Sequence, residues 1–167
     1  MLFRSNSAAY LPFGPMTSIA FGNGTTRTVS YDARYRVLEN KVTGPAGTIA
    51  DYNYAEDNKG NITQIHDATN ATFNRDFGYD DLDRLTSANS GTSLWGAGSY
   101  TYDGMGNMLS SSLGTWKTTA ASLVGTTPKL SAVVENGVSR AVTYDAVGNE
   151  TGAGFSAYAY SDRKSVV

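Results

Sequence analysis

The chain has 167 residues, of which 17% are charged, a net charge of −2 and no cysteine. This balance gives no electrostatic reason for a nucleic-acid partner, and the missing thiols exclude disulfides and thiolate metal sites. Gly (18) and Tyr (11) are abundant against Phe (6) and Trp (2), which with many Ser, Thr and Asn fits an all-β chain with frequent turns. No apolar stripe at helical spacing holds for three turns. No apolar run is long enough to span a membrane. The length suffices for one domain with a real core. Residues 1–6 hold no apolar h-region, so no signal peptide is expected, and the compartment is left open.

Residues 1–26 read as a leading segment. Pro12-Phe13-Gly14-Pro15 demands extended and turn backbone. Asn23-Gly24 then signals a hairpin, with residues 25–31 as its return strand. A strand is expected over 34–42, closed by Gly44-Pro45-Ala46-Gly47, and residues 48–54 run back. Residues 61–66 form the next strand, a turn follows near 67–70, and 72–79 and 84–87 continue an antiparallel meander. Residues 89–98 are a looser connection carrying Trp95. Tyr100 and Tyr102 alternate with Thr101, so both rings share a face. Residues 110–128 break the pattern: Ser110-Ser111-Ser112 is linker-like, 115–118 is a short strand, and Thr126-Thr127-Pro128 is a breaker. Residues 130–134, a turn at Asn136-Gly137, 139–144 and a hairpin over 149–160 complete the chain.

One phrase recurs along this meander. Tyr102-Asp103 followed by Gly106-Asn107 is matched by Tyr144-Asp145 followed by Gly148-Asn149. Tyr79-Asp80 and Tyr31-Asp32 keep the start and put Arg84 and Arg36 where Asn stood. Tyr54 followed by Gly60-Asn61 reads as a variant with Ala55 in place of Asp and two residues added. Tyr158-Ala159-Tyr160 begins a further unit. The tyrosines at 31, 54, 79, 102, 144 and 160 are 23, 25, 23, 42 and 16 residues apart. The 42 is close to two steps, so a degenerate unit is expected there, with Val124 where a tyrosine would stand and Lys129-Leu130 for Arg-Leu. Asp in such a phrase can bond the backbone two residues on, and Gly can take the positive φ of the reversal. Repeats at this period mean stacked supersecondary units, none able to bury its apolar face alone.

These phrases resemble the YD repeats of Rhs (rearrangement hot spot) proteins, which also occur in the shell subunits of insecticidal toxin complexes and, more distantly, in teneurins. Pro12-Phe13-Gly14-Pro15, Gly22-Asn23-Gly24 and Arg34-Tyr35-Arg36 also resemble the repeat segment of bacterial Rhs proteins. The match covers nearly the whole chain and is weakest over 110–128. It implies one YD-repeat β domain over 1–167, an open strip of antiparallel sheet of the kind that spirals into a hollow shell around a toxin polypeptide. It further implies relatives that are exported or associated with the cell envelope. The Asp-Pro-x-Gly motif of the family's aspartyl autoproteolysis has no match, since none of the four prolines follows an aspartate, and no variable toxin domain is recognised. The expectation is therefore a structural, non-enzymatic shell segment without catalytic residues, cofactor or metal. Its partners are further YD repeats or copies of itself at open sheet edges. The alternative is a carbohydrate- or surface-binding module that uses exposed Tyr and Trp, such as Trp95 and Trp116.

Each candidate site has a simpler folding role. The repeat tyrosines are expected to pack as an aromatic ladder rather than a sugar platform. Asp32, Asp80, Asp103 and Asp145 recur about once per unit and are expected to close turns, not to converge on one centre. Asp80-Asp81-Leu82-Asp83 is the densest acidic spot, without the spacing of a calcium loop. His66, the only histidine, lies in an alternating strand and reads as an ordinary sheet residue.

Overall fold

Period-two alternation punctuated by Gly, Asn and Asp leaves each strand to pair with the one before it and the one after it. The computed structural model describes residues 4–154 and the backbone of 156–157. Internal contacts divide the chain into two units, Met1–Leu94 and Trp95–Val167. The first contains β1 (Ser5–Tyr10), β2 (Met16–Phe21), β3 (Thr26–Tyr31), β4 (Val37–Gly44), β5 (Gly47–Glu56), β6 (Ile62–Asp67), β7 (Arg75–Tyr79) and β8 (Leu85–Asn89). The second contains β9 (Ala97–Tyr102), β10 (Met108–Leu113), β11 (Lys117–Leu123), β12 (Leu130–Glu135), β13 (Val138–Tyr144), β14 (Glu150–Ala153) and β15 (Ser156–Ala157). The sole helical piece among the described residues is a 3-10 turn, Ala71–Phe73, between β6 and β7. Within each unit every strand pairs antiparallel with its sequence neighbours. The all-β antiparallel meander expected from the sequence is thus the fold of both units.

Cross-strand partners share a face, so the registers sort the side chains. In the first unit Val29, Val42, Tyr52, Tyr54, Ile65, Phe77 and Ala88 fall on one face. Thr28, Lys41, Asp51, Asn53, His66 and Asp76 fall on the other. Lys41 and Asp51 form an ion pair there at 2.7 Å. In the second unit Tyr100, Thr119, Ala121, Val133 and Val142 share a half-buried face, and Ser99, Ser112, Thr118, Ala120 and Ser139 share the opposite one.

The expected core is a correction. Among the described residues only Val29 and Ala88 are buried hydrophobics, because strands touching only their neighbours in a single layer put no second layer over the apolar face. Three local expectations also change. The leading segment is a hairpin, β1–β2, whose first strand Ser5–Tyr10 is exposed throughout. Its Ser, Asn and Ala carry little strand propensity, which is why it was not read as a strand. Arg34, Tyr35 and Arg36 form a turn rather than strand. Ser110-Ser111-Ser112 is not a linker but the middle of β10, paired on both sides. Its hydroxyls are met across the ladder, Ser112 by Ser99 at 2.9 Å and Ser110 by Thr101 at 2.6 Å.

The β10–β11 turn depends on Gly114. Its φ is +54°, and a Cβ there would lie 2.1 Å from the Trp95 carbonyl oxygen. Gly114→Ala is therefore expected to destabilise the chain by about 1–3 kcal/mol or more, read from the denaturant midpoint. Gly104→Ala, where a Cβ meets nothing within 4 Å, should leave the midpoint within about 0.5 kcal/mol of the parent.

Candidate functional site

The recurring Tyr-Asp phrases all lie at the turns of odd-to-even hairpins, along one edge of each unit. At the third of them in the phrase Asp103-Gly104-Met105-Gly106-Asn107, the Asp103 amide donates to the Asn107 carbonyl at 2.9 Å and the Gly106 amide returns to the Asp103 carbonyl at 3.1 Å. Asp103 Oδ1 accepts the amides of Met105 (2.9 Å) and Asn107 (2.8 Å), and Oδ2 accepts Asn107 Nδ2 at 2.8 Å. Gly106 takes φ +90°, completing a three-residue loop whose left-handed last residue lets the strands meet. One pair further on the register slips: Tyr102 faces Met108 and Thr101 faces Ser110, leaving Leu109 as a bulge.

The same construction is found at Asp32, Asp80 and Asp145. Asp145 Oδ1 accepts from Val147 and Asn149, and Oδ2 from Asn149 Nδ2. In the arginine variants the guanidinium replaces the amide, with Arg36 Nε 2.6 Å from Asp32 Oδ2 and Arg84 Nε 2.7 Å from Asp80 Oδ2. Tyr35, Asp83 and Gly148 hold the left-handed position. The register slips at the same point in each, at Leu38, Thr86 and Thr151.

The Tyr54 variant is a correction. Asp57, not Ala55, supplies the carboxylate, accepting the amides of Lys59, Gly60 and Asn61 and Asn61 Nδ2 at 2.9 Å. No residue is inserted. Glu56 stands where the tyrosine stands elsewhere, and Tyr54 lies two residues earlier on the same face. The degenerate unit is present, but Val124 takes the place of the aspartate and Leu123 that of the tyrosine. The Val124 amide reaches the Lys129 carbonyl at 2.8 Å across a loop one residue longer. The turn expected at Pro12-Phe13-Gly14-Pro15 proves to belong to the same series, which its sequence does not signal. Leu11 and Pro15 adopt the same backbone frame, with the Leu11 amide on the Pro15 carbonyl at 3.0 Å, Tyr10 facing Met16, and Thr17 bulged. The turns thus begin at 11, 32, 57, 80, 103, 124 and 145, a more even spacing than that of the tyrosines. Tyr160 lies outside the described residues.

Neighbouring turns are tied to one another. Tyr31 donates its hydroxyl to the Met16 carbonyl at 2.8 Å, and Tyr79 to the Ile62 carbonyl at 2.9 Å. Both acceptors stand five residues after the start of the preceding turn. Burial pushes the Tyr79 phenol up. Arg36 reaches forward to Glu56 (3.1 Å) and the Asp57 carbonyl (3.1 Å). Lys59 and Asn61 both reach Asp83, at 3.0 and 2.9 Å, and Lys129 lies 5.2 Å from the Tyr144 ring centre, a cation–π distance. The acidic run at 80–83 is therefore engaged from within the fold: Asp80 by its own turn, Asp83 by the previous one. Apex residues point outward, with Leu82, Met105 and Val147 all more than 60% exposed. His66 is exposed on the polar face opposite Asn53. Trp116 is 71% exposed in the β10–β11 turn, and Trp95 is half-buried.

No family model and no curated protein sequence matches the chain. Solved structures do. A chain of the Photorhabdus luminescens Tc holotoxin pore is 16% identical over 97% of this chain and 9% of its own length, with a TM-score of 0.63. A chain of the TcdB2-TccC3-TEV crystal structure is 18% identical over 95% and 11%, with a TM-score of 0.62. One in the TcdB2-TccC3 crystal structure is 16% identical over 97% and 10%, with a TM-score of 0.61. Over nearly its whole length the chain shares the fold of the matched stretch of these Tc toxin chains. The resemblance carried by the Tyr-Asp phrases is borne out as fold, and this chain spans about a tenth of the length of the chains it matches.

Two outcomes follow from the turn chemistry. The carboxyls of Asp32 and Asp80 are held below the ordinary range first by the backbone amide four residues on, and those of Asp57, Asp103 and Asp145 first by the side-chain amide of the following Asn. A lowered folded pKa gives stability that is complete above the unfolded carboxyl value, about 3.9, and is lost as pH falls through the folded values. Thermal midpoints should therefore be flat near neutrality and fall steeply below about pH 4, and Asp103→Ala should lower the neutral midpoint while Met105→Ala does not. Separately, Tyr79→Phe should cost about 0.5–1.5 kcal/mol by denaturant unfolding, the worth of the bond to the Ile62 carbonyl.

Proposed function

We propose that the chain is a structural, non-catalytic segment of a YD-repeat shell wall. The observation that carries this reading is the recurrence, among the described residues, of one turn frame at six positions and a one-residue-longer form at Val124, with hydroxyl, guanidinium and ammonium groups linking several successive turns within each unit. Residues 1–167 are read as one repeat array. In it Asp32, Asp57, Asp80, Asp103 and Asp145 serve register, and Tyr31 and Tyr79 serve cohesion between units. Carboxylates placed one per turn and satisfied by their own turn have no geometry for joint acid–base work. No Asp-Pro-x-Gly phrase stands in these 167 residues, so the cleavage step of Rhs proteins is not assigned to them. The wall's partners are further YD repeats or further copies at its strand edges, and its cargo is an enclosed polypeptide.

A second reading, glycan binding, is favoured by one feature, the 71% exposure of Trp116. Two measurements on purified protein separate them. The wall reading expects a mass that rises with concentration in light scattering, as strand edges pair. It also expects no saturable change of tryptophan fluorescence across a panel of oligosaccharides. A concentration-independent monomer with a saturable, Trp116-dependent shift would replace the wall with a binding module.

A further inference from the structure

We infer that the outer edge of β1 is the docking edge for one more Tyr-Asp-type hairpin lying ahead of it in the same strip, and that Tyr10 is the residue that selects it. This inference rests on the wall reading and names the partner of one edge.

Tyr31 and Tyr79 each stand immediately before a turn, face the residue five after its start, and precede a bulge on the partner strand. Each sends its hydroxyl back to the preceding hairpin, to the carbonyl five residues after that hairpin's turn begins. Tyr10 has every one of these local attributes. It stands immediately before the turn that starts at Leu11, it faces Met16, and Thr17 is the bulged residue. What differs is its surroundings. Tyr10 is 64% exposed, whereas Tyr31 and Tyr79 are half-buried, with their hydroxyls on the hairpin before them. Tyr10 thus has the position of a unit-to-unit tie on a strand that, among the described residues, pairs only with β2.

The edge itself is open to such a partner. β1 reads Ser-Asn-Ser-Ala-Ala-Tyr and is exposed throughout. It has no proline, no charge and no inward lysine, the devices that keep an edge strand from pairing. Ser5 to Ala9 are small enough to accept a neighbouring strand at ordinary sheet spacing, about 4.8 Å. The occupant that fits is a strand following a Tyr-Asp-type turn, laid antiparallel on β1. Its first residue after the turn would offer the carbonyl, as Met16 and Ile62 do for Tyr31 and Tyr79.

The chain contains a hairpin with which to test this. A second copy of residues 47–74, which carry β5, the Asp57 turn, β6 and its connection to β7, is placed directly ahead of Arg4. Amide exchange and thermal unfolding are then compared for the original and extended chains, each with and without Tyr10→Phe. The expected result has three parts: β1 amides gain protection on extension, Tyr10→Phe leaves the original chain's midpoint unchanged, and it lowers that of the extended chain by about 2–5 °C. Unprotected β1 amides in the extended chain overturn the docking edge. If those amides are instead protected only in the original chain, and increasingly with concentration, the occupant is a second copy and the assignment falls. Protection on extension with no sensitivity to Tyr10→Phe overturns the role of Tyr10. None of these readouts involves sugars or total mass, so the wall reading fails or stands separately.

Discussion

The aspartate at each turn must do what a core does elsewhere. In a packed domain the register of a strand is set by burial, because a one-residue slip moves every apolar side chain to solvent. Here the sheet is one layer thick within each unit, and Val29 and Ala88 are the buried hydrophobics among the described residues. Burial alone is a weak constraint on register in such a strip. The Asp carboxylate supplies a local one. It accepts two or three backbone amides and one side-chain donor within five residues, so the hairpin is closed at a fixed count before the strands pair. The bulge that follows each turn at the same distance then sets the twist, and it recurs whether the bulged residue is Leu38, Thr63, Thr86, Leu109 or Thr151.

Closing hairpins one by one does not by itself make a wall. The units have to be coupled, and the coupling runs through two positions. The residue before the turn reaches back, as Tyr31 and Tyr79 do through their hydroxyls. The basic residue at the end of the turn reaches forward, as Arg36 does to Glu56 and Lys129 to Tyr144. The two can exchange work. Where Glu56 replaces the tyrosine, no hydroxyl is available at that junction, and Arg36 meets the carboxylate instead. Asn61 makes such a reach with its side-chain amide, and Lys59 joins it at Asp83. Arginine and asparagine at the fourth position after Asp thus both close the turn and both can donate to the next unit, arginine with more donors and a longer reach.

The sequence made the strands, the hairpin order and four of the turns legible because three signals coincide in them: a tyrosine before the turn, a carboxylate that can cap it, and Gly, Asn or Arg at a fixed offset. Where only one signal remains, the reading slips. At 54–61 the tyrosine signal points to Ala55, whereas the aspartate that closes the turn, Asp57, stands three residues after the ring. At 110–112 the serines looked like linker because hydroxyl composition does not distinguish a loop from a strand whose neighbours supply cross-strand hydroxyls. At 11–15 the aspartate is absent, so the prolines indicate a turn but nothing marks it as one of the repeat. The ties between units were not legible at all. They join residues 15 to 24 apart, and no local pattern states which carbonyl a tyrosine will meet.

The two turns without a carboxylate bear on what the signature is for. Leu11–Pro15 and Val124–Lys129 keep the backbone frame or lengthen it by one residue, so the frame does not require aspartate. The backbone bonds define the hairpin, and the carboxylate adds stability and fixes the count. A repeat built this way can lose its signature in individual units while neighbours hold the register on either side, which a nearest-neighbour array allows. The same logic accounts for a shared strip fold at 16–18% identity with the Tc toxin shell chains. What such a strip must conserve is an offset and a hydrogen-bond pattern, and several residue types satisfy each position. Apex residues such as Met105 and Val147, which touch neither requirement, are accordingly left to vary and to face outward.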